Sequence, residues 1–191
     1  MGVVVACETD SMATTREQMR ALYRSVSDRN YDGQTFDFDD WWRSPTILGE
    51  LGPLLAERFR LERVSVVLGP ASSGYLLGPL VAMALGVGFV PVSKQPRTGV
   101  DSDLWRVRTT PPDYQDRHLE LGFRRRLMTS SDRVLAVDDL VDTAGQLLTL
   151  QALTQDANAT WIGATVLIDN LRTSQPRRQL NLHAVFHVRD L

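Results

Sequence analysis

The chain has 191 residues, 43% of them hydrophobic, enough for one full core, so a single self-folding domain with at most a small appendage is expected. A formal net charge of −2 and a pI of about 5.9, with basic residues spread along the chain, leave no footprint for nucleic acid or an anionic membrane. One cysteine, Cys7, excludes an intrachain disulfide framework, leaves an intermolecular bridge open, and makes the cytoplasm the expected compartment.

The opening MGVVVACETD is apolar only briefly and has no basic leader. No later apolar run approaches the ~20 residues of a spanning helix, and Ala6 breaks the myristoylation pattern. The first helix is expected to start at Thr14 or Thr15, either of which can cap it. Glu17 and Gln18 follow three residues on, and Met19, Leu22, Tyr23 and Val26 share a face. After the acidic, aromatic YDGQTFDFDDWW, Ser44 and Pro45 form a cap and first turn for a helix carrying Ile47, Leu48, Leu51, Leu54, Leu55 and Phe59. Gly52 and Pro53 are expected to kink or split it.

VSVVL (64–68) reads as a strand, GPASSG (69–74) as a turn, and Leu76, Leu77, Leu80, Val81, Ala84 and Leu85 as the inward face of a helix. Further strands are expected at 87–92, 133–137, 161–168 and 183–188, with an amphipathic helix over 146–153. Continuous apolar strands alternating with helices imply an α/β fold, a mainly parallel twisted sheet covered on both faces. The stretch from Lys94 to Asp132 is polar, carries Pro96, Pro111 and Pro112, and reads as a functional lid or mobile loop. No repeat of 20–50 residues and no low-complexity tract is visible.

Ligands gather at the carboxyl ends of parallel strands, and both informative motifs fall there. In VLAVDDLVDTAGQ (134–146), Asp138 and Asp139 leave a strand and small residues open a helix, where backbone N–H groups and the helix dipole favour an anion. Two carboxylates beside a phosphate are tolerable if the space between them holds hydrogen-bond donors, such as the vicinal hydroxyls of a ribose. The pattern describes a ribose 5-phosphate held at both ends. The plainer alternative is that both acids shape a turn.

VLAVDDLVDTAGQ resembles the phosphoribosyl pyrophosphate (PRPP) motif of type I phosphoribosyltransferases, with DDLVDT closer to the xanthine-guanine enzymes. GPASSGYLLGPLVAMALGVGFVPVSK (69–94) is similar to the pyrophosphate-loop region of the adenine enzymes. The resemblance covers the chain from Val64 to about Val188. It implies the type I phosphoribosyltransferase fold, a core over 61–191 with a mobile loop at about 95–132, and N-terminal helices with a base-covering hood over 1–60. It also implies transfer of the 5-phosphoribosyl group from PRPP to a nitrogenous base of the purine kind, with release of pyrophosphate. The implied assembly is a homodimer.

By the same resemblance, Asp138 and Asp139 hold the ribose hydroxyls. Asp142, Thr143, Ala144, Gly145 and Gln146 cradle the 5-phosphate. Ala71, Ser72, Ser73 and Gly74 face the pyrophosphate, and Lys94 adds a positive charge. Mg²⁺ is expected as cofactor, held through PRPP and water near Asp138 and Asp139 rather than by direct protein ligands. HLELG (118–122) resembles part of the catalytic loop of the adenine enzymes and makes Glu120 an acid/base candidate, with an ordinary solvated glutamate as the alternative. Asp142 stands where 6-oxopurine enzymes carry an acid near the purine N7, and it is the second catalytic candidate if it projects toward the base.

Several positions depart from the family pattern. Ser73 and Ser93 stand where many relatives have arginine, and Arg97, Arg106 or Arg108 are candidates to replace that charge. Ala144 and Gln146 replace the more usual Gly and Thr, and Ala144 costs little provided its φ is negative. Phe36, Phe38, Trp41 and Trp42 offer rings to stack on a base, Trp41 and Trp42 foremost, with a core role as the alternative. A non-catalytic PRPP or nucleotide sensor is the rival functional reading. GPASSG is no nucleophile elbow, LGVGFV no dinucleotide fingerprint, and His183 with His187 lacks the companions of a metal site.

Overall fold

The computed structural model describes residues 2–27, 34–37, 39–96, 104–111 and 118–191. Helix α1 (Gly2–Leu22) runs straight through Thr14 and Thr15. The expected cap is therefore overturned: Glu8, Met12 and Ala13 are good helix formers that carry the helix upstream, and Thr15 is buried against the core. Met19 points inward with Leu22 and Tyr23 beside it. Val26 falls instead in β1 (Arg24–Ser27), which pairs antiparallel with β2 (Gln34–Asp37). A short α2 (Asp39–Arg43) follows.

In α3 (Pro45–Ala56) the Ser44 hydroxyl accepts the Ile47 N–H at 3.4 Å, with Pro45 in the first turn, as the sequence implies. The helix is continuous through Pro53, so the expected split does not occur. Gly52 has another cause: a Cβ there would run into the Leu80 carbonyl of α4 (Ser73–Leu85). The glycine lets two helices approach closely. Helix α4 ends on Gly86, at φ 68°, in the left-handed conformation that glycine adopts without penalty.

Strands β3 (Val66–Pro70), β4 (Gly88–Lys94), β7 (Arg133–Val141), β8 (Thr160–Asp169) and β9 (Leu182–His187) form a parallel sheet. Helix α5 (Gly145–Asp156) connects β7 to β8, and α6 (Ser174–Leu180) connects β8 to β9. One face buries Val67, Leu135, Val137 and Leu167 against α1, α3 and α4. The other buries Leu68, Val134, Ala136 and Val166 against α5. Burial on both faces is why these strands read as unbroken apolar runs, and the N-terminal helices share their core with the sheet.

The 94–132 stretch is not one long loop. It contributes β5 (Trp105–Thr109) and β6 (Glu120–Arg124), an antiparallel pair that joins β4 through Ser93 and Gly122. The full order is β5-β6-β4-β3-β7-β8-β9, seven strands. Leu121 and Phe123 are fully buried, while the intervening arginines have partners that composition could not reveal. The Arg108 guanidinium grips the Asp156 carboxylate through two hydrogen bonds of 2.6 and 2.7 Å, and Arg106 donates to the Asp156 carbonyl. Cations thus cover the negative end of α5. Arg97, Pro112 and Phe38 lie outside the described residues.

Candidate active site

β7 continues past Val137, through both acids, to Val141. Asp138 is 7% exposed, and its Oδ1 accepts the Asp139 N–H at 3.1 Å. Asp139 is half-buried and accepts the Leu140 N–H at 2.8 Å. Burial pushes the Asp138 carboxyl well above the usual range, the neighbouring Asp139 charge adds to this, and Lys94 opposes it. Desolvation disfavours the charged form of an acid, and a like charge does so again.

The next turn holds Asp142, Thr143 and Ala144 and leads into α5. Ala144 has φ 63°, in the left-handed region, so the condition under which alanine would cost little is not met and it occupies a glycine conformation at some cost. No side chain caps α5, which leaves its first N–H groups for an anion. Gln146 Oε1 is buried without a hydrogen-bond partner among the described residues. Pro111 lies over Gly145, 3.9 Å from where a Cβ would stand.

On the other side of β7, GPASSG makes a tight turn between β3 and α4. A Cβ on Gly74 would lie 2.6 Å from Pro70 Cδ, and one on Gly69 would strike the Gly74 carbonyl, so both glycines are needed for the backbone to fold back on itself. The Ala71–Ser72 peptide is cis, and the Ala71 N–H donates to the Val92 carbonyl at 2.9 Å, tying the turn to β4. Ser93 lies 3.3 Å, Oγ to hydroxyl oxygen, from Tyr75, and Lys94 is exposed beside it. Where arginines were missed, the chain supplies hydroxyls. Arg106 and Arg108 do not replace them, because both are engaged at the far end of α5.

Glu120 is the first residue of β6 and exposed, so it belongs to a strand, not to a loop. The Gln95 N–H donates to its carbonyl at 2.7 Å, which sets it beside the end of β4. Asp142 is exposed, and the Asn170 Nδ2 donates to its Oδ1 at 3.0 Å. Asn170 escaped the sequence reading. The available signal was a polar pair, Asp169 and Asn170, closing a continuous apolar strand.

Trp41 is corrected as a stacking candidate. It is fully buried, donates its ring N–H to the Met19 carbonyl at 2.9 Å and packs on Phe186 with ring centres 5.9 Å apart. A large ring at the junction of α1, α2 and β9 gains more from burial than a solvent-facing one would. Trp42 is half-buried against the same core. His187 Nδ1 stands 3.1 Å from Asp169, His183 packs edge-on against Phe59, and no cluster of three or more metal-ligating side chains occurs among the described residues.

Paired acids at one strand end, an uncapped helix after them and a glycine-bounded turn on the neighbouring strand stand together at the carboxyl ends of a parallel α/β sheet, where ligands of such folds bind. The phosphoribosyl transferase domain model matches residues 43–188, and the chain belongs to that family of transferases. It is 31% identical over 159 residues to the adenine phosphoribosyltransferase of Bordetella pertussis, covering 80% of this chain and 82% of that one. Against the adenine phosphoribosyltransferase of Solibacter usitatus it is 31% identical over 169 residues, covering 88% and 94%. The crystal structure of adenine phosphoribosyltransferase from Rhodothermus marinus superposes with a TM-score of 0.78 at 26% identity, covering 92% of this chain and 99% of that one. The chain is a phosphoribosyltransferase of the type I fold.

Proposed function

We infer that the protein moves the 5-phosphoribosyl group of PRPP onto a purine, adenine, and releases pyrophosphate. The observation that carries the reading is the run from Asp138 and Asp139 directly into the uncapped start of α5. The names borne by its relatives, adenine phosphoribosyltransferase, supply the base.

In this reading the first N–H groups of α5, with Thr143 and Gln146, bind the 5-phosphate, and Asp138 and Asp139 accept hydrogen bonds from the ribose hydroxyls. Ala71, Ser72, Ser73 and Gly74 present backbone and hydroxyl groups to the pyrophosphate, and Lys94 stabilises the charge it gains on leaving. The ribose ring develops oxocarbenium character, which nearby carboxylates favour. Glu120 is the residue that handles the proton of the incoming base. Asp142, held by Asn170 at the turn that opens α5, is the second candidate.

Two strand-end carboxylates without a third acid, His or Cys clustered beside them among the described residues suit a Mg²⁺ that would keep its waters and be held by PRPP oxygens, with Asp138 and Asp139 accepting hydrogen bonds from those waters. Bound Mg²⁺ neutralises the pyrophosphate. Trp42 and the 1–60 segment would cover the base, the active form would be a homodimer, and the compartment the cytoplasm. No helix among the described residues is long and apolar enough to cross a membrane.

The test is pyrophosphate release with PRPP, Mg²⁺ and a panel of bases. Adenine is expected to be the best acceptor. The absence of release with every base tried, alongside a PRPP-induced rise in melting temperature, would replace the enzyme by a sensor.

A further inference from the structure

Strand β6 opens at Glu120, and its main chain there is fixed from both sides. The Gln95 N–H donates to the Glu120 carbonyl at 2.7 Å. To reach it, Gln95 takes φ 51°, a left-handed conformation uncommon outside glycine. On the other side Thr109 pairs with Glu120. The next pair outward, Thr110 with Leu119, departs from the ladder.

In a hydrogen-bonded antiparallel pair, each residue's N–H donates to the other's carbonyl. The Thr110 N–H does so, to the Leu119 carbonyl at 2.8 Å. The Leu119 N–H does not return the bond and donates instead to the Thr110 side-chain Oγ1 at 3.0 Å. The Thr110 carbonyl is thereby released, and His118 Nδ1 meets it at 3.1 Å. A carbonyl only accepts, so this contact assigns the ring proton to Nδ1. Thr110 is 6% exposed, where each of its polar groups needs a partner. Pro111 follows, and its carbonyl and Cδ lie 3.9 Å from where a Cβ of Gly145 would stand, on the turn that opens α5. Thr110 therefore joins the phosphate turn to the head of β6.

A second backbone bond would hold the two strands together equally well. What the side chains add is a fixed position for the residues that precede Glu120. We propose that Thr110 and His118 are positioning residues that set the reach of Glu120 toward substrate held at the α5 turn. The assignment rests on Glu120 handling the proton of the incoming base, and adds the groups that aim it. A general acid or base works only within hydrogen-bond reach of its proton, and a misplacement of about 1 Å can cost about a hundredfold. Glu120 is exposed, so its aim comes from the main chain beneath it.

The test measures the single-turnover rate of transfer from PRPP to adenine, with Mg²⁺, in Thr110→Val, His118→Ala and His118→Asn. Each is made alone and combined with Glu120→Gln, with melting temperatures alongside. Thr110→Val and His118→Ala should each slow transfer about tenfold or more and leave the KM for PRPP within about twofold. His118→Asn, whose amide N–H can donate to the same carbonyl, should recover most of the rate. With Glu120→Gln in place, neither Thr110→Val nor His118→Ala should slow transfer further, because residues that act as a unit are not additive. His118 is exposed, so its variants decide the question even where Thr110→Val melts lower. Equal slowing in both backgrounds, or none beside a slow Glu120→Gln, would overturn this assignment alone. His118→Asn as slow as His118→Ala would overturn it in favour of a proton carried by the imidazole. A Glu120→Gln variant as fast as the wild type would overturn the role of Glu120 and this assignment with it.

Discussion

The Asp139 backbone N–H donates to the Asp138 carboxylate at 3.1 Å, inside a strand end where Asp138 is almost wholly buried. Burial and the adjoining acid raise the carboxyl of Asp138 above its ordinary range. The folded chain then binds more protons than the unfolded one between the ordinary and the raised value. The stability this group contributes is present below that window and is lost as pH rises through it. At neutral pH the ligand-free protein carries the cost of a buried acid.

Asp138→Asn should remove that cost, stabilising the ligand-free protein at neutral pH by about 1–3 kcal/mol and flattening its stability as pH rises above the ordinary carboxylate range, read by thermal melts across pH. The same variant should bind PRPP at least about tenfold more weakly, since an amide keeps one acceptor oxygen of the two. A variant both less stable at pH 7 and equally tight for PRPP would contradict the ribose assignment.

Ala144→Gly addresses the left-handed residue ahead of α5. Glycine accepts φ 63° freely but loses more entropy on folding, so a net gain of about 0.5–1 kcal/mol is expected. Chemical denaturation would measure it. Loss of stability would mean that the buried Ala144 methyl contributes more by packing than its backbone costs.

Glu120→Gln should lower kcat by about 10²–10⁴-fold, the range of a positioned acid or base, with the KM for PRPP little changed. Its side chain is exposed and its backbone pairs with Thr109 whatever the side chain, so circular dichroism and melting temperature should stay at wild-type values. A kcat within about threefold of wild type would leave Glu120 a surface residue.

Ser93→Arg restores a charge beside Lys94 at the cost of the Tyr75 contact. A charge-assisted hydrogen bond to pyrophosphate should lower the KM for PRPP about tenfold, and more salt should erode the gain because the position is partly exposed. Steady-state kinetics at low and high ionic strength would check both. An unchanged KM would show that the Tyr75 and Ser93 hydroxyls already meet the anion's needs.

The apolar runs at 64–68, 133–137 and 161–168 announced the parallel core because a strand buried on both faces has no polar side to obscure it. The acids after Val137 were legible for the same reason: charge at the end of such a run is conspicuous. The β5–β6 pair was not, since its arginines find their partners on α5, far along the chain. The close crossing at Gly52 was not legible because a helix crossing leaves no local signature. Trp41 read equally as a core ring or as one offered to a base, and only the junction of three elements shows it to be interior. Asn170 acquires meaning only from β7 beside it.

Val66 pairs with Val134, and Ala136 with Ala164, so each part of the site comes from a segment distant in sequence from its neighbour. Such pairings close large loops and form slowly, after local helices. The binding cleft is thus a late product of folding, and PRPP should protect amide hydrogens in β3, β7 and β8 together, as a single cooperative unit.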